Sequence, residues 1–196
     1  ILILAWAISV WWRIVQKQVR RYLSGVAGLL LFWFSIRTIK YFFVTNMFWV
    51  RHLWYLYYVP ITLIPLFALY VAICIEKAED FAVGKREKLL YIPAVMLIVL
   101  IFTNDYHQWA FRFPSGEVRT DGNGIHSIVY FIDAVWAVVL SVAAVVLMFK
   151  KCRILQSRRR IWMPFIPLGI AILYTIVYVS GVHWLRVFVG DMVVVY

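Results

Sequence analysis

Positive charge in this 196-residue chain falls in three short blocks, each set between long apolar stretches. Arg13, Lys17, Arg20 and Arg21 form the first block, and Lys77, Lys85, Arg86 and Lys88 the second. Lys150, Lys151, Arg153, Arg158, Arg159 and Arg160 form the third and densest. Short basic loops stay on the cytoplasmic side of a bilayer, so the pattern predicts a polytopic membrane protein and sets its orientation. Composition agrees: the chain is 65% hydrophobic and 15% charged, with a mean hydropathy of +0.86, far from a soluble globular domain. A net charge of +11 suggests nucleic acid when taken alone. The basic residues follow loops, however, and no basic soluble domain carries them. The expected partner is the lipid bilayer with its anionic headgroups, and no nucleic acid is expected.

A helix needs about twenty apolar residues to cross the hydrocarbon core. Apolar runs at Ile1–Trp12, Tyr22–Phe43, Arg51–Ile75, Leu89–Thr103, Ile128–Phe149 and Ile161–Val179, with a last one opening near Val187, predict seven spans. Each is helical, because backbone in lipid must satisfy its own hydrogen bonds. The expected fold is an all-α membrane protein, a seven-helix transmembrane bundle, with the N-terminus outside and the C-terminus inside. Its first and last helices read as truncated, which makes residues 1–196 a single membrane domain cut from a longer chain. No basic stretch precedes the first apolar run, so it is no obvious signal peptide. Cys74 and Cys152 are the only cysteines, and both fall at or near the cytoplasmic face, where a disulfide is not expected.

The outer ends hold the chemistry. His52, His107, His126 and His183 all fall there, as do the two acids within apolar spans, Asp133 and Asp191. Asp133 lies about 8 Å into its helix at 1.5 Å per residue. An ionisable side chain inside a span faces the bundle interior or water and has a partner. Two readings stand for Asp133: an ion pair with Arg37 or Lys40, or a cation or ligand amine held together with Asp191.

The longest outer loop, 104–127, carries Asn104-Asp105-Tyr106-His107-Gln108-Trp109 and then Phe111-Arg112-Phe113-Pro114. Behind them, Glu117–Thr120, the turn formers Asp121-Gly122-Asn123-Gly124 and Ile125–Ile128 predict a short β-hairpin across the bundle mouth. Loops of this length are often functional. Trp54, Tyr57 and Tyr58 stand three or four apart on one helix face. They read first as an interfacial aromatic belt and second as a pocket wall. Asp105 and His107 are only two apart and match no zinc motif, so no metal and no cofactor are expected. Pro60, Pro65, Pro93, Pro164 and Pro167 fall within or beside spans, where proline tends to kink a helix.

Catalytic signatures are missing. No His-Glu-x-x-His occurs, and although Ser24, Ser115 and Ser180 each precede a glycine, none has one two residues before. No phosphate-cradling glycine loop and no transporter-like duplication stand out.

Leu53-Trp54-Tyr55-Leu56-Tyr57-Tyr58-Val59-Pro60, Thr103-Asn104-Asp105-Tyr106-His107-Gln108 with Phe111-Arg112-Phe113-Pro114, and Arg158-Arg159-Arg160 together carry a resemblance. The chain resembles the seven-helix membrane region at the N-terminus of certain bacterial sensor histidine kinases. The likeness covers nearly the whole chain. Its specific element is Asn-Asp-x-His, with Tyr106 where an aliphatic residue is expected. The resemblance implies an input module in the bacterial plasma membrane, itself not an enzyme. It also implies a cytoplasmic output domain beyond Tyr196 and a homodimer. An extracytoplasmic ligand or envelope signal is then expected to meet Asn104, Asp105 and His107, aided by Trp54, Asp133 and Asp191, and to shift helix populations by unequal affinity. The rival class is a transporter or channel in which Asp133 and Asp191 bind substrate or protons. Against it, the ionisable residues gather at one end and the inner halves of the spans look apolar. An intramembrane enzyme lacks its motifs. A retinal-binding pump needs a lysine in the last span, which is cut short.

Overall fold

The computed structural model describes residues 16–151 apart from 76, 79, 80, 82, 117 and 120–123, together with helical residues 8, 11 and 12. The expected spans at Ile161–Val179 and from Val187, most of Ile1–Trp12, and Cys152, His183 and Asp191 lie outside the described residues. In chain order the elements are helices α1 (Lys17–Phe42), α2 (Met47–Tyr55), α3 (Tyr58–Cys74) and α4 (Tyr91–Phe102), then strands β1 (Phe111–Arg112) and β2 (Ile125–His126), then helix α5 (Ile128–Lys151). Single helical turns stand at Lys85–Lys88 and Asn104–His107.

Three stretches are long and apolar enough to cross a membrane: Lys17–Phe42 with 26 residues, Met47–Cys74 with 28 and Ile128–Lys151 with 24. At 1.5 Å per residue these reach roughly 36–42 Å, more than the ~30 Å hydrocarbon core. The expected span at Leu89–Thr103 is different. Its regular part, α4, has 12 residues, about 18 Å, and single helical turns flank it on either side.

Proline at a fixed offset accounts for two of the interruptions. Pro60 has no N–H for the Leu56 carbonyl, which accepts instead from Val59 N at 3.2 Å, a tighter turn that separates α2 from α3. Pro93 does the same to Leu89, whose carbonyl accepts from Ile92 N at 3.0 Å just ahead of α4. The start of α2 is set by Asn46, whose side chain accepts the Phe48 N–H at 2.9 Å. The helix therefore opens four residues before the predicted Arg51.

α3 is apolar on all sides and is the axis of the bundle, as expected for a helix enclosed by others or by lipid. It packs against α1, α4 and α5. Around its second half, Leu66, Leu69, Tyr70 and Ala72 meet Val19 and Tyr22 of α1, Ala94 of α4, and Leu140 and Ala144 of α5. Small residues let these backbones approach. At Gly25 a Cβ would stand 2.7 Å from the Phe67 ring, so α1 and α3 meet there without room for a side chain.

Orphan carbonyls at the end of α3 are met from two sides. Gln16 Nε2 donates to Cys74 O at 2.9 Å. Lys151 Nζ donates to Ala72 O, Ile73 O and Ile75 O at 2.8, 2.6 and 2.9 Å. An ammonium has three hydrogens, and a helix C-terminus carries partial negative charge, so the match is chemical as well as geometric. Lys151→Ala is expected to lower unfolding free energy by about 2 kcal/mol, read as a lower Tm in lipid nanodiscs, with Lys151→Arg restoring part of the loss.

Candidate functional site

The loop after α4 is folded around one buried side chain. Asn104 is fully buried. Its Oδ1 accepts from Ala110 N at 2.9 Å and Phe111 N at 3.0 Å, and its Nδ2 donates to Phe111 O at 2.9 Å and Tyr55 Oη at 3.4 Å. Within that circle Gln108 takes the left-handed conformation, φ 54° and ψ 33°. It is held there by its own N–H on Asn104 O at 2.7 Å and by its Oε1, which accepts from Phe113 N at 3.2 Å.

This clasp straightens Phe111–Arg112 into β1, which pairs antiparallel with β2 in the register Phe111 to His126 and Arg112 to Ile125. The expected hairpin is therefore corrected: Ile125–His126 is a strand, but its partner is Phe111–Arg112 rather than Glu117–Thr120. Of that segment Val118 and Arg119 are described and are not strand, while Glu117, Thr120 and Asp121–Asn123 lie outside the described residues. The Asn104 bonds and the buried Phe111 ring fix the inner strand, so the pairing follows them rather than the turn residues. Beyond the ribbon, Ala110 O accepts from Ser127 N at 2.8 Å and Trp109 O from Val129 N at 3.0 Å. The loop thereby caps the N-terminus of α5.

Asp105 is turned toward α2. Arg51 holds it by a fork, with Nε 3.0 Å from Oδ1 and Nη2 2.6 Å from Oδ2, while Tyr55 Oη donates to Oδ1 at 2.8 Å. Arg51 and Tyr55 are four apart on α2 and so present both donors on one face. Arg51 Nη1 also donates to Arg119 O at 2.8 Å, and Arg119 Nη1 returns a bond to Asp105 O at 3.0 Å. Fork-shaped, charge-assisted pairs of this kind are the stronger ones. Burial by itself acts to raise the Asp105 carboxyl, but the hydrogen bonds from Arg51 and Tyr55 and the charges of Arg51 and His52 outweigh it and hold it below its ordinary value.

His107 is committed to the loop. Its Nδ1 accepts from Trp109 N at 3.0 Å, so the ring hydrogen is on Nε2, which donates to Thr103 Oγ1 at 3.2 Å. Thr103 in turn donates to Val99 O at 2.8 Å. His52 Nδ1 donates to Phe48 O at 2.8 Å, and its Nε2 lies 3.9 Å from Asp105 Oδ2. Among the described residues no three of His, Cys, Asp and Glu converge on a metal position.

The aromatic run at the break between α2 and α3 lies beneath this loop. Trp54 packs on Phe111 with centroids 4.4 Å apart, and Tyr58 does so at 5.4 Å. Tyr57 turns aside toward Trp33 of α1, at 6.5 Å. The shared face expected for Trp54, Tyr57 and Tyr58 is thus split by the turn at Leu56, and Tyr55 and Tyr58 are core residues rather than a lipid-facing belt. Asp133 is in the next layer down, 1% exposed, with its Oδ1 2.8 Å from Thr62 Oγ1 on α3. The expected pairing with Arg37 or Lys40 is replaced by this contact across the α3–α5 seam.

Of the six residues singled out, Asn104, Asp105, His107 and Trp54 come together, Asp133 stands one layer below, and Asp191 lies outside the described residues. The sequence reading missed Arg51, Tyr55 and Arg119. A signal existed for Arg51: a cation in the first turns of an apolar span requires a partner, and Asp105 is an acid expected at the same outer end. The face presented to the surroundings carries Tyr106, 91% exposed, and Trp109, 56% exposed, alongside the exposed Arg112 and Ser115.

Apolar helices of spanning length, sealed at one end by a loop that turns Asn104, Asp105 and His107 inward, define a membrane-embedded domain, with no catalytic centre evident among the described residues. The chain belongs to the family of N-terminal seven-transmembrane regions of histidine kinases, whose family model matches residues 1–193. It is therefore a membrane sensory input region, in a context that includes a cytoplasmic output domain. No curated protein and no solved structure matches the chain.

Asn104→Ala is expected to remove about 3 kcal/mol, at roughly 1 kcal/mol for each of three short hydrogen bonds. The check is faster hydrogen exchange at the Ala110 and Phe111 amides. Because the folded-state carboxyl of Asp105 titrates below its unfolded value, its contribution is present above the unfolded value and lost as pH falls through the folded one. Acid titration is expected to release the loop, seen as rising Trp109 solvent quenching, and Asp105→Asn should abolish that pH dependence.

Proposed function

We propose that this domain reads an extracytoplasmic ligand or envelope signal at the loop-capped end and transmits it to a cytoplasmic output domain following residue 196. In this reading residues 1–196 form one seven-helix bundle in the bacterial plasma membrane, N-terminus outside and C-terminus inside, working as a homodimer. The observation that supports it most is the knot of Asn104, Asp105, Arg51 and Arg119, which ties the loop to α2, while the Trp109 and Ala110 carbonyls tie it to the start of α5.

The recognition set retains Asn104, Asp105, His107, Trp54, Asp133 and Asp191, with a division of labour. Asn104, Asp105 and His107 spend their polar atoms on the loop and act as positioning residues. The exposed Tyr106 and Trp109 beside them make first contact with an apolar or aromatic part of the signal. A signal that prefers the loosened loop over the clasped one shifts the population between them, in proportion to that difference in affinity.

In the full-length kinase in membranes, Arg51→Asp and Asp105→Arg are each expected to change signal-free autophosphorylation several-fold in the same direction. The double variant, which swaps the charges, should return it toward wild type. Singles that insert normally yet leave both basal output and response unchanged would sink the proposal. Reporter fusions before Lys17 and after Lys151 test the orientation, and cytoplasmic signal from both is expected.

A further inference from the structure

Thr62 has one hydroxyl hydrogen and two oxygens close to its Oγ1: the Tyr58 carbonyl at 2.7 Å and Asp133 Oδ1 at 2.8 Å. A carbonyl only accepts, so two short contacts require two hydrogens and Thr62 supplies one. A helical threonine ordinarily gives its hydrogen to the carbonyl four residues earlier, which here is Tyr58 O. The second hydrogen then belongs to Asp133.

The surroundings point the same way. Asp133 is 1% exposed inside a helix of spanning length, and among the described residues Thr62 is the side chain that hydrogen-bonds to it. The titratable groups of α3 are Tyr58, Tyr70 and Cys74, and α4 offers only Tyr91 at its start. On α5 itself Tyr130 precedes Asp133 by three residues, while Lys150 and Lys151 stand at the far end. Among the described residues none of the nearby groups is a cation, and an ionised carboxylate buried without one is costly.

We propose that Asp133 is a proton-binding site: it keeps its proton at neutral pH and donates it to Thr62 Oγ1, latching α5 to α3. Trp136 Nε1 donates to Thr62 O at 3.3 Å, so α5 grips the same α3 residue twice. Losing the proton turns Asp133 from donor to acceptor and sets it against Tyr58 O for the one remaining hydrogen. It also places charge in the α3–α5 seam, and the latch opens. This assignment rests on the seam's geometry and stands apart from what the outer loop recognises.

Infrared spectroscopy of the full-length protein in lipid bilayers, with the aspartate carboxyl carbon labelled with carbon-13, tests it. The expected result at neutral pH is an isotope-sensitive carbonyl stretch of a protonated acid, lost in Asp133→Asn and displaced in Thr62→Val. Asn at 133 keeps a neutral donor to Thr62, so the fold is expected to persist. If Asp133→Asn fails to insert, the Thr62→Val displacement of the acid band carries the assignment by itself. An acid band indifferent to the variants, or Asp133 present only as carboxylate, overturns the proposal.

Discussion

Asparagine carries at its tip the same donor and acceptor as a peptide unit, and Asn104 is used as one. Buried N–H and C=O groups of an irregular loop must find partners, and residues 110 and 111 have none in a neighbouring strand on that side. Asn104 supplies them. The side chain in effect inserts a missing piece of backbone. Much else depends on it: the Phe111 ring goes down among Trp54, Tyr55 and Tyr58, β1 acquires its register, and the carbonyls of Trp109 and Ala110 reach the first amides of α5. Asp105, next in the chain, is then aimed at α2 with no freedom to turn away.

Two polar layers follow from this arrangement, separated by aromatic rings. The upper one is charged and partly open to solvent, with Arg51 and Asp105 at its centre. The lower one is the neutral pair Asp133 and Thr62, sealed from water. Tyr58 belongs to both, since its ring lies against Phe111 and its carbonyl against Thr62. A rearrangement above therefore has a short mechanical route to the seam below, through one residue at the first turn of α3. In the sensing we propose, that route lets a surface event alter how α5 sits on α3.

Hydrophobic runs made the long helices legible, since backbone in lipid has few alternatives to a helix. The ends were less legible because polar chemistry sets them. α1 begins at Lys17 rather than Tyr22, as lysine and arginine are good helix formers whose apolar stems tolerate the bundle edge. Leu89–Thr103 read as one span, although Pro93 shortens its regular part. At the loop, the sequence marked Asn104, Asp105 and His107 but showed neither that their bonds turn inward nor that Arg51 and Arg119 complete them. Contacts between residues 50 or more positions apart leave no periodic trace. The hairpin failed for a related reason: turn formers at 121–124 indicated where the chain reverses, but the strand that receives it is chosen by a side chain seventeen or more residues upstream.

Lys151 belongs to the densest basic block, whose charge argues for one face of the membrane, and it also fills the carbonyl end of α3. One ammonium thus serves two ledgers, insertion and packing. Attempts to invert the domain by neutralising that block would loosen the bundle at the same time, so orientation and stability cannot be selected independently at this position. Lys151 itself is pinned by the helix it closes.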